Sequence, residues 1–251
     1  MSLKYLGSEF DIHCGGIDLL FPHHENEIAQ SCCASGQKFA KYWMHNGPLR
    51  VDNEKMSKSL GNFFTVREVL KKYNPEVVRY LLISSHYRSP INYSDQSLKQ
   101  SSKALERIYI GLKDLDIMNA KALVNSHFER AYFAAMDDDF NTPAALGVLF
   151  EMVAEVNKAR DTDIDRAREL GKLIVKLGNF LGILYSTPNE FLMGTESSDV
   201  DKNEIENLVK ERELARDEKN WQRADEIRAQ LSDMKGVVED GASGSKWRID
   251  R

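Results

Sequence analysis

The chain has 251 residues, of which 42% are hydrophobic, and this is enough apolar material for two or three small globular units. Its formal net charge of -5 excludes a general positive field for nucleic acid, so any RNA contact must come from local patches and shape. We expect neither export nor a membrane span, since no apolar run reaches about 18 residues. The cysteines Cys14, Cys32 and Cys33 form no CxxC pair, and this favours a reducing cytoplasmic location.

The segment from Phe10 to Arg50 mixes short β-rich stretches with one helix. Pro22 and the acidic residues that follow it are suited to the first turn of a helix, so we predict a helix from Phe21 to Gln30. The run 42–45 predicts a buried strand that leads to a lysine-rich loop.

That loop carries the most specific motif of the sequence, which begins Lys55-Met56-Ser57-Lys58-Ser59 and continues as Leu60-Gly61-Asn62. Two ammonium groups on a Ser-rich turn can neutralise a polyphosphate and follow charge as it builds on a pyrophosphate leaving group. The alternative is a solvated Lys/Ser turn, which the length of the string disfavours. We therefore predict that Lys55 and Lys58 are catalytic.

A second constellation lies on the predicted helix, where His23 and Glu27 are four residues apart and share one face. An imidazole and a carboxylate suit zinc, but a zinc site needs about four donors and this pair supplies only half of them. Taken alone, the pair is more typical of a metal-free surface contact.

Downstream of the loop the pattern becomes helical. Thr65 and Glu68 form a predicted capping box, and Asn74-Pro75 predicts an N-cap followed by proline at the first helical position. We predict a linker over 188–201, then two helices broken near Lys219-Asn220 and a β-hairpin. Apolar residues with helical spacing predict two buried bundle faces, formed by Leu146, Leu149, Phe150, Val153 and Val156 and by Leu170, Leu173, Ile174, Leu177 and Leu181.

Together, residues 10–18, 21–30, 42–45 and 137–143 and the lysine loop resemble the cysteinyl-tRNA synthetase family. The resemblance runs over essentially the whole chain and implies its C-terminal half or more, without the HIGH motif that grips ATP. In that family a zinc ion held by two Cys, one His and one Glu binds the thiolate of substrate cysteine, which discriminates against serine. His23 and Glu27 match the His and the Glu, and the two cysteine ligands precede the point where this chain starts.

The resemblance also implies a loop facing the aminoacyl-adenylate. Its residues would be His13, Gly15, Gly16 and Asp18; of the two loop lysines, Lys58 would contact ATP and Lys55 would support the charge. A plain Gly turn after a strand is the alternative for the Gly loop. We interpret Asp137 to Asp139 as a helix cap rather than a metal cluster, since Thr142-Pro143 follows.

At the C-terminus, four residues match family positions that contact anticodon bases, namely Arg216, Trp221, Asp225 and Asp240. Trp221 can stack on a base, Arg216 can bond or stack, and the carboxylates can accept from base amino groups. The alternative for Trp221 is a place in the core.

The implied fold is α/β plus α: a partial Rossmann-like parallel sheet, then a helical bundle, then a small α+β anticodon-binding unit. We expect a catalytic half over 1–64, a connecting helical region over 65–118, a bundle over 119–190 and an anticodon-binding domain over 202–251.

The implied activity is ligation of L-cysteine to tRNA(Cys) with ATP and Mg2+, by a protein that is a monomer at full length. The chain alone is expected to be inactive, because it lacks the HIGH motif and two zinc ligands. Two alternatives remain, a noncatalytic tRNA-binding fragment and the related cysteine ligase of mycothiol biosynthesis.

Overall fold

The computed structural model describes residues 2–56, 64–121, 123–193, 202–218, 220–234, 236–241 and 244–249. Lys58 and the rest of the lysine loop from residue 57 to 63 lie outside the described residues. The helices are α1 (Ser2–Tyr5), α2 (Glu25–Ser35), α3 (Val66–Lys72), α4 (Pro75–Ile83), α5 (Asp95–Leu112), α6 (His127–Asp137), α7 (Thr142–Ala159), α8 (Ile164–Leu181), α9 (Pro188–Met193), α10 (Lys202–Asp217) and α11 (Trp221–Asp233). The strands are β1 (Phe10–Gly16), β2 (Ala40–Asn46), β3 (Leu49–Val51), β4 (Glu54–Lys55), β5 (Ile91–Tyr93), β6 (Gly236–Gly241) and β7 (Gly244–Ile249).

The chain divides into two compact units, one of Met1–Ser101 with Asn125–Val148 and the other of Ser102–Val124 with Leu149–Arg251. In the part of the chain that is described, no helix combines the length and the apolar character needed to cross a membrane.

The first unit contains a parallel β1–α2–β2 element. His13 pairs in register with Trp43 and Gly15 with His45, so these four residues lie on one face of the two strands. The residues that alternate with them lie on the other face, where Tyr42 is 68% exposed. The expected parallel sheet is present, but the prediction that strand 42–45 is buried is wrong for Tyr42.

The helix α2 begins later than the sequence predicts. Phe21 has the extended conformation that a residue before proline favours, with φ -136° and ψ 133°, so no continuous helix runs through it. Short helical turns span Ile17–Leu19 and Leu20–His24, and α2 starts at Glu25. Gly36 ends it in the left-handed conformation at φ 68°, and its N–H donates to Cys32 O.

A small sheet of order β4–β3–β5 leads into the lysine loop. Strand β3 pairs antiparallel with β4, where Arg50 faces Lys55, and parallel with β5. The chain after the loop enters α3 through Thr65, whose side chain and Glu68 form the predicted capping box. Asn74 caps α4 as predicted, and its side chain accepts from Glu76 N–H.

Helices α7 and α8 bury most of the predicted apolar faces; Leu149, Ile174 and Leu177, all in the second unit, are fully buried, and Phe150 is half-buried. The predicted linker is wrong over its first part, because Pro188–Met193 is helix α9. Thr187 and Glu190 form a capping box in front of it, with Thr187 N–H donating to Glu190 Oε2 at 2.8 Å and Glu190 N–H to Thr187 Oγ1 at 3.2 Å.

The C-terminal part of this unit has α+β structure, as expected. Helices α10 and α11 pack together, and β6 and β7 form the predicted antiparallel hairpin. A shared core holds it together, made of Ile205, Val209, Ile227, Leu231 and Trp247.

Candidate functional site

A cluster of imidazoles lies on the His13 face of the β1–β2 element, under the start of α2. His13 Nε2 lies 3.0 Å from Glu27 Oε2, and the ring of His13 meets that of His24 edge-on, with centroids 4.9 Å apart. Trp43 packs against the same group, with its ring centroid 4.6 Å from that of His13. The cluster therefore joins residues from both strands and from the helix between them.

His24 and His45 form the buried base of this cluster. His24 is 2% exposed, and its Nδ1 lies 2.8 Å from Nε2 of His45. Burial lowers the pKa of His24, and the nearby imidazoles of His13 and His45 lower it further. One ring of the pair donates and the other accepts, which fixes both tautomers.

Glycine at position 15 makes room for the His24 ring. A Cβ on Gly15 would lie 2.7 Å from Cε1 of His24, closer than side chains pack. A Cβ on Gly16 would lie 2.4 Å from Oδ1 of Asp18, so that carboxylate folds back over the same strand end. The space above Gly15 is filled by protein, and the role of these residues in adenylate binding stays a prediction.

His23 and Glu27 are neighbours, as their spacing predicts, with His23 Nε2 3.7 Å from Glu27 Oε1. The side chain of His23 is 59% exposed. Cys14 lies on the opposite face of β1 from His13, because strand residues alternate.

Within the described residues, the one group of three metal-ligating side chains with convergent donor atoms is His13, His24 and Glu27, whose atoms lie within 4.8 Å of one another. Sequence reasoning missed His24. The adjacent histidines 23 and 24 were a signal, but their spacing cannot say which of the two faces the strands.

The acidic run 137–139 does not cap the next helix, and that interpretation is wrong. Asn141 does so, its Oδ1 accepting from Ala144 N–H at 3.1 Å. Asp139 instead accepts from Arg88 Nε at 2.6 Å and from Tyr87 OH at 2.8 Å, and the Arg88 bond lowers the pKa of Asp139. The carbonyl of Tyr87 in turn accepts from Gly47 N–H at 2.8 Å, just beyond the end of β2.

The predicted anticodon-contacting residues lie in the C-terminal α+β part. Trp221 opens α11 and is 60% exposed, so the alternative of a core tryptophan is wrong; Trp247 takes that place. Asp225 is exposed one turn later on the same face, and Arg216 lies in the last turn of α10. The backbone of Asp240 lies in β6 opposite Ser245. Binding of anticodon bases by these residues stays a prediction.

Comparison with protein families matches three segments of the chain. Residues 1–103 match the model of the class I (C) tRNA synthetase catalytic domain, residues 131–185 the DALR domain, and residues 202–248 the cysteinyl-tRNA ligase anticodon binding domain.

The chain is similar to curated cysteine–tRNA ligases over 99% of its own length. It is 51% identical to that of Idiomarina loihiensis over 248 residues and 55% identical to that of Stutzerimonas stutzeri over 249 residues. It spans about half the length of these relatives, 53% and 54% respectively.

Among solved structures, the chain matches a LeuRS of Agrobacterium radiobacter K84 in a ternary complex with tRNA and LeuAMS. The match has a TM-score of 0.53 at 18% identity and covers 92% of this chain and 36% of that one. At this identity the likeness shows a shared fold.

Proposed function

We propose, from the chain's membership of the class I cysteinyl-tRNA synthetase family, that it works as part of a cysteine–tRNA ligase. Such an enzyme activates L-cysteine with ATP and transfers it to tRNA(Cys). The observation that carries the proposal is the match of residues 202–248 to the cysteinyl-tRNA ligase anticodon binding domain.

The residues of this chain would act on ATP and the adenylate in two groups. Lys55 and Lys58 would neutralise the pyrophosphate as it leaves, with Mg2+ accompanying the nucleotide. His13, Gly15, Gly16 and Asp18 would line the adenylate. Strand β4 ends at Lys55, the first residue of the lysine loop.

Zinc is the further cofactor that the family implies, and the residues present fit it. Glu27 Oε2 is buried without a hydrogen-bond partner among the described residues, and imidazole nitrogens lie close to it. His23 and Glu27 would be its protein ligands in this chain. When bound, zinc supplies a soft Lewis acid that holds a thiolate in preference to a hydroxyl.

Of the alternatives, the ligase of mycothiol biosynthesis is disfavoured because residues 202–248 match an anticodon binding domain. A tRNA-binding role of this chain without catalysis has support in the C-terminal part, which has its own core around Trp247. In both the ligase and the binding role, the location would be the cytoplasm, and we expect a monomer at full length.

The experiment that tests the proposal is a titration of the chain with tRNA(Cys) and with the same tRNA carrying altered anticodon bases, at fixed salt. We expect preference for the cysteine anticodon. Equal affinity for all anticodons would contradict the assignment.

A parallel assay of cysteine-dependent ATP–pyrophosphate exchange separates the ligase from the binding role. We expect no exchange above a Lys58→Ala control from this chain alone, since positioning and leaving-group stabilisation both need the rest of the catalytic domain. Exchange above that control would show that these residues suffice.

A further inference from the structure

One short segment of the chain, residues 92–95, lies against both ends of the lysine loop. It contains the last two residues of β5 and the first residue of α5. The chain reaches the loop through the hairpin of β3 and β4, and it leaves the loop through Phe64 and helix α3. The residues concerned all belong to the first unit. The segment is therefore placed to set the distance between the two ends of the loop.

On the incoming side, the segment holds the turn between β3 and β4. Asp52 and Asn53 form this two-residue turn, and their φ values of 49° and 68° are positive, as a type I′ hairpin turn requires. The main-chain N–H of Asp52 donates to Tyr93 O at 3.1 Å. The N–H of Asn53 donates to the side-chain oxygen Oδ1 of Asn92 at 2.8 Å. A side chain of the segment thus fixes the turn that immediately precedes β4 and Lys55.

On the outgoing side, the same segment makes two side-chain contacts. The ring of Tyr93 packs on that of Phe64, with centroids 4.4 Å apart and both residues partly buried. Tyr73, which ends α3, donates from its hydroxyl to Asp95 Oδ1 at 2.5 Å. That bond raises the pKa of Tyr73 to about 12, so the hydroxyl keeps its proton and remains a donor at neutral pH. The chain after the loop is therefore held at both Phe64 and Tyr73.

We propose that Asn92 and Tyr93 are positioning residues for the lysine loop, holding its two ends at the separation at which its lysines reach the pyrophosphate part of ATP. The proposal rests on the role that the proposed function gives to Lys55 and Lys58. Two ammonium groups stabilise a polyphosphate only when both approach it in the right geometry, and a small displacement is costly. Asn92 and Tyr93 act through the backbone of the loop and do not themselves contact the nucleotide.

The test is a phosphorus NMR titration of the full 251-residue chain with inorganic pyrophosphate. We expect Lys58→Ala to weaken binding about 10-fold, as the loss of a charged donor does. Asn92→Leu keeps the approximate size of the side chain but removes the acceptor, and we expect it to weaken binding about 3- to 10-fold. Tyr93→Leu, which removes the ring that packs on Phe64, should have a similar effect. Tyr93→Phe keeps that ring and is expected to retain the affinity within about twofold.

Asn141→Leu is the matched control for Asn92→Leu. It also removes a side-chain acceptor from a backbone N–H in the first unit, at the start of α7. We expect the two variants to lose similar stability in urea unfolding, whereas only Asn92→Leu loses affinity for pyrophosphate. Equal losses of affinity in both variants would overturn the proposal, because affinity would then follow stability alone.

The remaining outcomes separate the positioning role from the proposed function. Unchanged affinity in Asn92→Leu and Tyr93→Leu, with a loss in Lys58→Ala, would overturn the positioning role and leave the role of the lysines intact. No binding by the unaltered chain, or no loss in Lys58→Ala, would overturn both roles. The titration with tRNA(Cys) reports on the ligase assignment independently, since it does not depend on the lysine loop.

Discussion

His24 and His45 meet inside the first unit, where Nδ1 of one lies 2.8 Å from Nε2 of the other. His24 has little access to water, so this contact satisfies a ring nitrogen that would otherwise be buried without a partner. We expect His45→Ala to lower the free energy of unfolding by about 1–3 kcal/mol, the cost of leaving such a group unsatisfied. Urea denaturation measures it. His127→Ala, which removes an exposed imidazole, is the control, and an equal effect of the two would contradict the structural role of the pair.

The glycine under His24 gives a second prediction. Gly15→Ala places a Cβ 2.7 Å from Cε1 of His24, and we expect a loss of about 1–3 kcal/mol as in other overpacked interiors. Gly147→Ala is the matched control, because no atom lies within 4 Å of its added Cβ in the middle of α7. That change is expected to stabilise by about 0.5–1 kcal/mol. The midpoints of urea unfolding compare the two, and unchanged stability in Gly15→Ala would show that the ring moves aside without cost.

The C-terminal part has one exposed tryptophan, Trp221, and one buried tryptophan, Trp247. Replacing each of them should separate effects on RNA binding from effects on folding. Trp221→Ala removes an exposed ring, so we expect unchanged thermal stability but a loss of about 1–3 kcal/mol in tRNA affinity through lost stacking. Trp247→Ala opens the core and is expected to cost about 3–5 kcal/mol of stability. Melting by circular dichroism and a tRNA titration distinguish these outcomes. Loss of stability in Trp221→Ala without loss of affinity would contradict the assignment.

The carboxylate of Asp139 should make stability depend on pH in the acid range. Hydrogen bonds from Arg88 and Tyr87 lower its pKa below the ordinary value of 3.8, so the folded state binds its proton more weakly than the unfolded state. Its contribution is therefore fully present above about pH 3.8 and is lost as the pH falls through the lower folded-state pKa. We expect the stability difference between the unaltered chain and Asp139→Asn to shrink over that window, as measured by urea unfolding at a series of pH values. A constant difference would mean that Asp139 acts only by its shape.

Several elements could be predicted from the sequence because the signals that start them lie within a few neighbouring residues. The capping box of Thr65 and the Asn74-Pro75 start are complete within a few positions, and both are found. The same signature at Thr187 and Glu190 was available, but the Gly- and Ser-rich run that follows it suggested a linker instead. The start of α2 was predicted too early because the turn Leu20–His24, which contains Pro22, is not regular α-helix, and α2 begins at Glu25.

The contacts of the candidate site could not be predicted in the same way. His24 lies 21 residues from His45, and their contact depends on the register of β1 with β2 and on how α2 crosses between them. Asp139 likewise accepts from Arg88 and Tyr87, which lie 51 and 52 residues away along the chain. Residue types indicated metal chemistry near Glu27, but only the folded β1–α2–β2 element shows that His13 and His24 lie beside it.

The three tryptophans of the chain occupy three different environments, and this makes the protein its own optical reporter. Trp43 packs against His13 and His24, Trp221 faces water, and Trp247 lies in the C-terminal core. A change at these imidazoles would alter the emission of Trp43, whereas RNA stacking would alter that of Trp221. Replacing two of the three indoles by phenylalanine at a time would let intrinsic fluorescence follow each region of the chain without an added label.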